Sequence, residues 1–182
     1  MIHDPKLLEA LSSFAPVEYS GEVFRATRKS LDPLTGSSRD GRWHFGSECT
    51  VLYTSLSKDG AMAEISFHWS LLNPLPSKPV VLHTLNVKVE NSLKLLMGDL
   101  VKLGINKMEY KSIYYQRTRE IGSAVNFLGH DGLIIPSARW DCQNLVIFCD
   151  NQSTDCHLST IDSKEINWQI WARDNGLLAN QD

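Results

Sequence analysis

Residues 50–72 read TVLYTSLSKDGAMAEISFHWSLL, and this stretch decides the fold class. Its first six residues, rich in β-branched and aromatic side chains, predict a strand over 50–55. Ser57 then stands where a helix N-cap is wanted, and residues 58–72 follow at helical spacing until Asn73-Pro74 stops them. At 100° per residue, Ala61, Ile65, His68, Trp69 and Leu72 fall on one stripe, expected to be the buried face. Glu64 lies about 60° to one side of Ala61 by the same arithmetic, beside His68. A carboxylate bordering a buried face needs a partner, and nearby arginines would keep it ionised. A solvated helix glutamate is the plain alternative.

Working outward, Asp4-Pro5 reads as an N-cap with proline at the first helical position, opening a short helix to about Ser13. Strands are expected at 22–27 (EVFRAT), 80–89 (VVLHTLNVKV), 132–135 and 145–149, and near 158–161. A helix over 114–128 carries Ile121, Val125 and Leu128 on one face, with Gly129 as its C-cap. Residues 93–103 are ambiguous, since Gly98 interrupts an otherwise helical stretch. A short helix over 168–174 brings Trp168 and Trp171, which could serve an interface. Strands and helices without regular βαβ alternation indicate α+β, a single domain with a mixed, mainly antiparallel sheet and flanking helices. It divides into an N-terminal helical extension (1–19), a core (20–150) and a strand and helix completing the same domain (151–182).

At 182 residues a single core is expected, and a net charge of −3, from 18 Lys+Arg against 21 Asp+Glu, argues against electrostatic binding of nucleic acid. No run approaches the ~20 apolar residues of a membrane helix, and the N-terminal residues lack a secretory pattern. The expectation is a cytoplasmic chain with Cys49, Cys142, Cys149 and Cys156 reduced. Cys156 adjoins His157, but without a Cys-x-x-Cys pair or an i, i+4 histidine pair no metal is expected. Signatures of Rossmann dehydrogenases, P-loop NTPases, zincins and α/β-hydrolases are all missing.

Some polar residues stand out against this background. Arg25 interrupts EVFRAT between Phe24 and Ala26, and residues 37–46 (SSRDGRWHFG) add Arg39 and Arg42 to a Gly-containing loop. Planar guanidiniums suit phosphate oxygens, although a strand arginine can simply face water. Tyr53, near a strand end, can stack on a planar ligand or close the core edge. Ser137 follows the strand DGLIIP as a turn serine or a site group, and Asn144 precedes the apolar run LVIFCD. Trp43, Trp140, Trp168 and Trp171 read as core or interface.

Taken in order, VFRAT (Arg25), GRWHFG (Arg42, Trp43), VLYTS (Tyr53), AMAE (Glu64), DGLIIPSAR (Ser137) and NLVIF (Asn144) resemble the RES domain, over about residues 20–150. The resemblance implies a fold like that of ADP-ribosyltransferase toxins and the role of toxin in a bacterial toxin–antitoxin pair. It also implies cleavage of the nicotinamide–ribose bond of NAD⁺ by hydrolysis or phosphorolysis. By this carry-over Glu64, Arg25 and Ser137 are catalytic, and Arg25, Arg42, Tyr53, Ser137 and Asn144 hold the dinucleotide. Glu64 would stabilise the oxocarbenium ion that develops at the anomeric carbon. NAD⁺ is then a substrate, with inorganic phosphate as an optional co-substrate, and no cofactor or metal is implied. The implied partner is an Xre-like helix-turn-helix antitoxin that occludes the site and alone contacts DNA; homo-oligomerisation stays open. His44 and Ala26 depart from the family pattern, where asparagine and an aromatic hydroxyl are common. Transfer of ADP-ribose to a cellular protein is the alternative within enzymes. From another class comes a non-catalytic or RNA-directed module using a basic patch of Arg25, Arg28, Lys29, Arg39 and Arg42.

Overall fold

The computed structural model describes residues 3–179; the outermost residues of both expected terminal segments, 1–2 and 180–182, lie outside that range. The elements in chain order are α1 (Pro5–Ser12), β1 (Val17–Arg28), β2 (Val51–Ser55), α2 (Lys58–Ser70), β3 (Val80–Lys94), α3 (Met97–Lys102), α4 (Gln116–Phe127), β4 (Gly132–Pro136), β5 (Gln143–Phe148), β6 (His157–Ile166) and α5 (Trp168–Asp174). The Asp4 carboxylate accepts from the Lys6 N–H at 2.9 Å to open α1, and Ser57 Oγ accepts from the Gly60 N–H at 3.4 Å to open α2. Both caps stand where the sequence puts them.

The six strands form one sheet in the order β1-β2-β5-β4-β3-β6, with β1 also paired to β3. Because β1 meets β3 along nearly its whole length and β2 at Phe24↔Ser55, the sheet turns back on itself. Only β3 and β4 run parallel, at Ser92–Lys94 against Gly132–Ile134. The α+β class and the mainly antiparallel pairing therefore stand. The undecided segment splits: Leu93 ends β3, Leu95 is buried just beyond it, and α3 begins at Met97.

Period-2 alternation sorts the strands between two cores. Leu145 and Ile147 of β5 face an inner core with Val23, Leu52 and Leu85, while Val146 and Phe148 face α1, α3 and α4 through Leu11, Leu100 and Ile121. A third cluster joins α2 to α5 through Met62, Trp168 and Ala172. Trp168 is 1% exposed and its indole N–H is bonded to the Pro76 carbonyl at 2.9 Å, so it belongs to this core and offers no interface. Trp43 is equally buried. Its carbonyl would lie 1.8 Å from a β-carbon at position 122, so only glycine lets α4 approach the loop this closely.

Candidate functional site

The first step toward the site is the seating of α2 on the sheet. A β-carbon at position 60 would sit 2.3 Å from Ser55 Oγ and 2.5 Å from Cys142 Sγ, so Gly60 lets the first turn of α2 rest on the ends of β2 and β5. One turn later Glu64 reaches Asn144, which the register places opposite Ser55 on one side and Ile135 on the other. Ser137 Oγ and Asn144 Nδ2 both donate to Glu64 Oε1, each at 3.0 Å. Ser137 Oγ in turn accepts the N–H groups of Arg139 (3.1 Å) and Trp140 (3.3 Å), which directs its single proton at the carboxylate. Glu64 Oε2 has no protein hydrogen bond among the described residues.

Glu64 lies on the wall of a cavity of about 380 Å³ between β1, the loop after it, β2, β5 and α2. Ala61, Ile65, His68 and Trp69 line it too. The stripe expected to be the buried face of α2 is thus mostly the cavity wall, and His68 and Leu72 are exposed. The packed face is Gly60, Ala61, Met62, Ala63 and Ser66, dominated by small side chains that a hydropathy stripe does not detect. Ser137 stands outside the cavity lining and reaches the site only through Glu64, because its hydroxyl is held by the turn that follows β4.

Arg25, Arg42 and Tyr53 line the cavity as well, with Asn144 beside Glu64. Arg25 Nη1 is buried without a hydrogen-bond partner, and burial pulls the pKa of this guanidinium below its ordinary value. A buried donor in this state marks a position that a ligand anion can satisfy. Asn144 Oδ1 is a second buried atom without a partner. Arg42 is more committed: Nη1 donates to the Tyr110 carbonyl (2.8 Å), Nη2 to that of Ser112 (3.1 Å), and the guanidinium lies 4.3 Å from the Tyr115 ring centroid. Arg42 therefore holds the loop before α4 while lining the cavity.

Tyr53 is fixed at its hydroxyl, which accepts from the Trp43 N–H at 2.9 Å and bonds to His44 Nδ1 at 3.0 Å. His44 Nε2 faces the Ser37 carbonyl at 3.1 Å, so Nε2 carries the proton and Nδ1 accepts from Tyr53. Burial raises the Tyr53 pKa and lowers that of His44, which keeps both neutral. His44 closes a chain of hydrogen bonds from Ser37 to Trp43 at the cavity rim. A β-carbon at position 41 would lie 2.3 Å from Tyr53 Oη, so Gly41 is needed there.

Arg139 was not singled out by the sequence reading, though it stands in the quoted DGLIIPSAR. Its guanidinium lies over Phe67 at 3.3 Å from the ring centroid and donates to the Lys111 carbonyl. Together Arg42 and Arg139 bind three successive carbonyls, those of Tyr110, Lys111 and Ser112. Arg119 Nε donates to the Gly41 carbonyl at 2.7 Å and steadies the loop from α4. Of the basic patch expected of an RNA binder, Arg25, Arg39 and Arg42 line the cavity, Arg28 joins Arg25 and Arg39 at an adjoining pocket, and Lys29 pairs with Glu165. The four cysteines are free, no group of metal-ligating side chains occurs among the described residues, and no described helix is long and apolar enough to cross a membrane.

Comparison with known proteins gives two findings. The family model described as the RES domain matches residues 22–169. Among solved structures, a chain of the M. tuberculosis MbcT-MbcA toxin–antitoxin complex shares the fold with a TM-score of 0.78 at 18% identity, over 93% of this chain and 97% of that one. No curated protein matches.

Proposed function

The chain belongs to the RES domain family, and from that premise we propose that it is the toxin of a toxin–antitoxin pair and degrades NAD⁺ by cleaving the nicotinamide–ribose bond. The observation that carries this reading is the state of Glu64. One carboxylate oxygen is fixed by Ser137 and Asn144, and the other is unbonded in a cavity shared with the partnerless Arg25 guanidinium. A pyrophosphate held by Arg25 and the remaining donors of Arg42 would set the adjoining ribose toward Glu64.

When the C1′–N bond breaks, its electron pair returns to the pyridine nitrogen and nicotinamide leaves neutral, so no strong general acid is needed. Positive charge develops at C1′ and the ring oxygen, and Glu64 Oε2 would stabilise it. Water, or an oxygen of inorganic phosphate, then bonds to C1′ and gives its proton to Glu64. Ser137 is a positioning residue here. Tyr53, held at its hydroxyl, would offer its ring to nicotinamide or ribose, and Asn144 Oδ1 would accept from the carboxamide or a ribose hydroxyl.

The fold shared with a chain of a toxin–antitoxin complex supports a protein antitoxin as partner. We place it over the cavity mouth, as an Xre-like helix-turn-helix protein that carries any DNA contact in the cytoplasm. Incubating the purified protein with NAD⁺, with and without phosphate, and identifying products by mass spectrometry tests the reading. Free ADP-ribose indicates hydrolysis and ADP-ribose 1″-phosphate indicates phosphorolysis. NAD⁺ that stays intact until a protein extract is added, followed by modified protein, indicates ADP-ribose transfer. NAD⁺ intact under all these conditions refutes the activity.

A further inference from the structure

Past Arg25 the main cavity adjoins a second pocket of about 340 Å³. Arg25, Arg28 and Arg39 line it, with Thr27, Leu31 and Trp69, and no carboxylate takes part in its wall. None of the three guanidiniums has an ion pair among the described residues. Asp32, the carboxylate that acts on Arg25 electrostatically, is occupied at both oxygens by its own turn, by the Leu34 N–H and Thr35 Oγ1. Three unpaired guanidiniums around one pocket, one with a buried donor lacking a partner, exceed what a single pyrophosphate group needs.

We propose that this pocket is a subsite for a phosphomonoester carried on the dinucleotide. The protein then takes the 2′-phosphorylated nicotinamide dinucleotide, NADP⁺, in preference to NAD⁺. The proposal rests on the dinucleotide reading above. Two features favour a substrate-borne phosphate over a free one. The two pockets share Arg25 and Arg39, so one ligand can span both. The second pocket lacks Glu64 and Asn144 in its wall, whereas a free acceptor phosphate must reach the anomeric carbon beside Glu64. A phosphomonoester carries nearly two negative charges at neutral pH and offers three acceptor oxygens, which matches the three guanidiniums.

The test is calorimetric titration of NAD⁺, NADP⁺ and inorganic phosphate into the full-length Glu64→Gln protein, which should bind without turnover. NADP⁺ should bind about tenfold tighter than NAD⁺. Adding Arg28→Ala should remove most of that advantage and leave NAD⁺ affinity within about twofold, since Arg28 lines only the second pocket, and Arg28→Lys should restore part of it. Inorganic phosphate should weaken NADP⁺ binding more than NAD⁺ binding. Equal affinities for the two dinucleotides, or an Arg28→Ala loss shared by both, would overturn the subsite while leaving NAD⁺ as substrate. Binding of neither would overturn the dinucleotide reading and the subsite with it. Unchanged thermal melting of the Arg28 variants checks that they fold.

Discussion

On the α2 side of the cavity, a single carboxylate oxygen takes two hydrogen bonds from side chains anchored at the ends of β4 and β5. On the opposite side, two residues expected to bind ligand also hold loops: Tyr53, with His44, braces the loop after β1, and Arg42 braces residues 110–112. On the acidic side Ser137 and Asn144 hold one oxygen of Glu64 and leave Oε2 open, which in the proposed reaction separates positioning from chemistry. On the basic side Tyr53 and Arg42 hold the loops while lining the cavity, and Arg25 Nη1 is buried without a partner. Substitutions should therefore separate cleanly into activity and stability on the first side and mix them on the second.

The largest effect should come from the acidic side. Glu64→Gln keeps the shape of the side chain and removes the charge, so NAD⁺ turnover should fall by about 10²–10³-fold or more. The melting temperature should stay near that of the parent, because the residue is only half-buried and no cavity opens. Product release followed by mass spectrometry alongside a thermal melt reads both quantities. Wild-type turnover would remove Glu64 from the mechanism.

Next comes Ser137→Ala, which removes one hydrogen bond to a charged acceptor, worth about 1.5–3 kcal/mol. If Ser137 acts through Glu64, kcat should fall by about 10–100-fold with KM little changed. An effect confined to KM would instead mean that Ser137 touches substrate. Gly60→Ala sharpens the same point from the backbone. Its new methyl group meets Ser55 and Cys142, so it should displace Glu64 and reduce kcat although position 60 is remote from the ligand.

How much of this was legible in the sequence follows the same division. Local signals were readable: Asp4 and Ser57 as caps, the strand around Arg25, and the ordered set Arg25, Arg42, Tyr53, Glu64, Ser137 and Asn144. The edge position of Glu64 followed from helical arithmetic. The stripe 61–65–68–69–72 held only in part: Ala61 is buried and Ile65 and Trp69 pack against the third cluster while lining the cavity, but His68 and Leu72 are exposed, since a hydropathy pattern cannot separate a core face from a cavity wall lined by apolar groups. The arrangement of donors was not legible either. That Arg42 faces the carbonyls of Tyr110 and Ser112, or that Ser137 lies behind Glu64, depends on contacts some 70 residues apart in the chain. Arg139 gave no usable signal, because its contacts with Lys111 and Phe67 join segments far apart in the chain.

On the basic side the comparison predicts a contrast between two arginines. Arg25→Ala should weaken NAD⁺ binding by about 1–3 kcal/mol, the loss of a charged hydrogen bond, with little change in melting temperature. Arg42→Ala should weaken binding less and lower stability by about 1–2 kcal/mol, because two carbonyls lose their donors. Calorimetry and chemical denaturation on both variants give the two ratios. Identical profiles would erase the distinction between a ligand-facing and a loop-holding guanidinium.

The smallest effect tests the loop itself through pH. His44 is fully buried and its pKa is pushed below 6.5 by burial, so the folded state keeps it neutral while the unfolded chain protonates at the ordinary value. Below about pH 6.5 the unfolded state then binds more protons, and stability falls with pH until the folded pKa is reached. His68 and His83 are shifted in the same direction, so the whole acid slope does not belong to His44. The comparison that isolates it is His44→Gln, whose amide can still accept from Tyr53 and donate to the Ser37 carbonyl without titrating. This variant should lose less stability than the parent between pH 7 and pH 5, by an amount below about 1 kcal/mol, while the two remain similar at pH 8. Parallel stability profiles would mean that the bond between Tyr53 and His44 survives protonation, for instance by Tyr53 turning its own proton away. The rim of the cavity would then keep this bond beside those from the Trp43 N–H and Arg119 at any pH in the range.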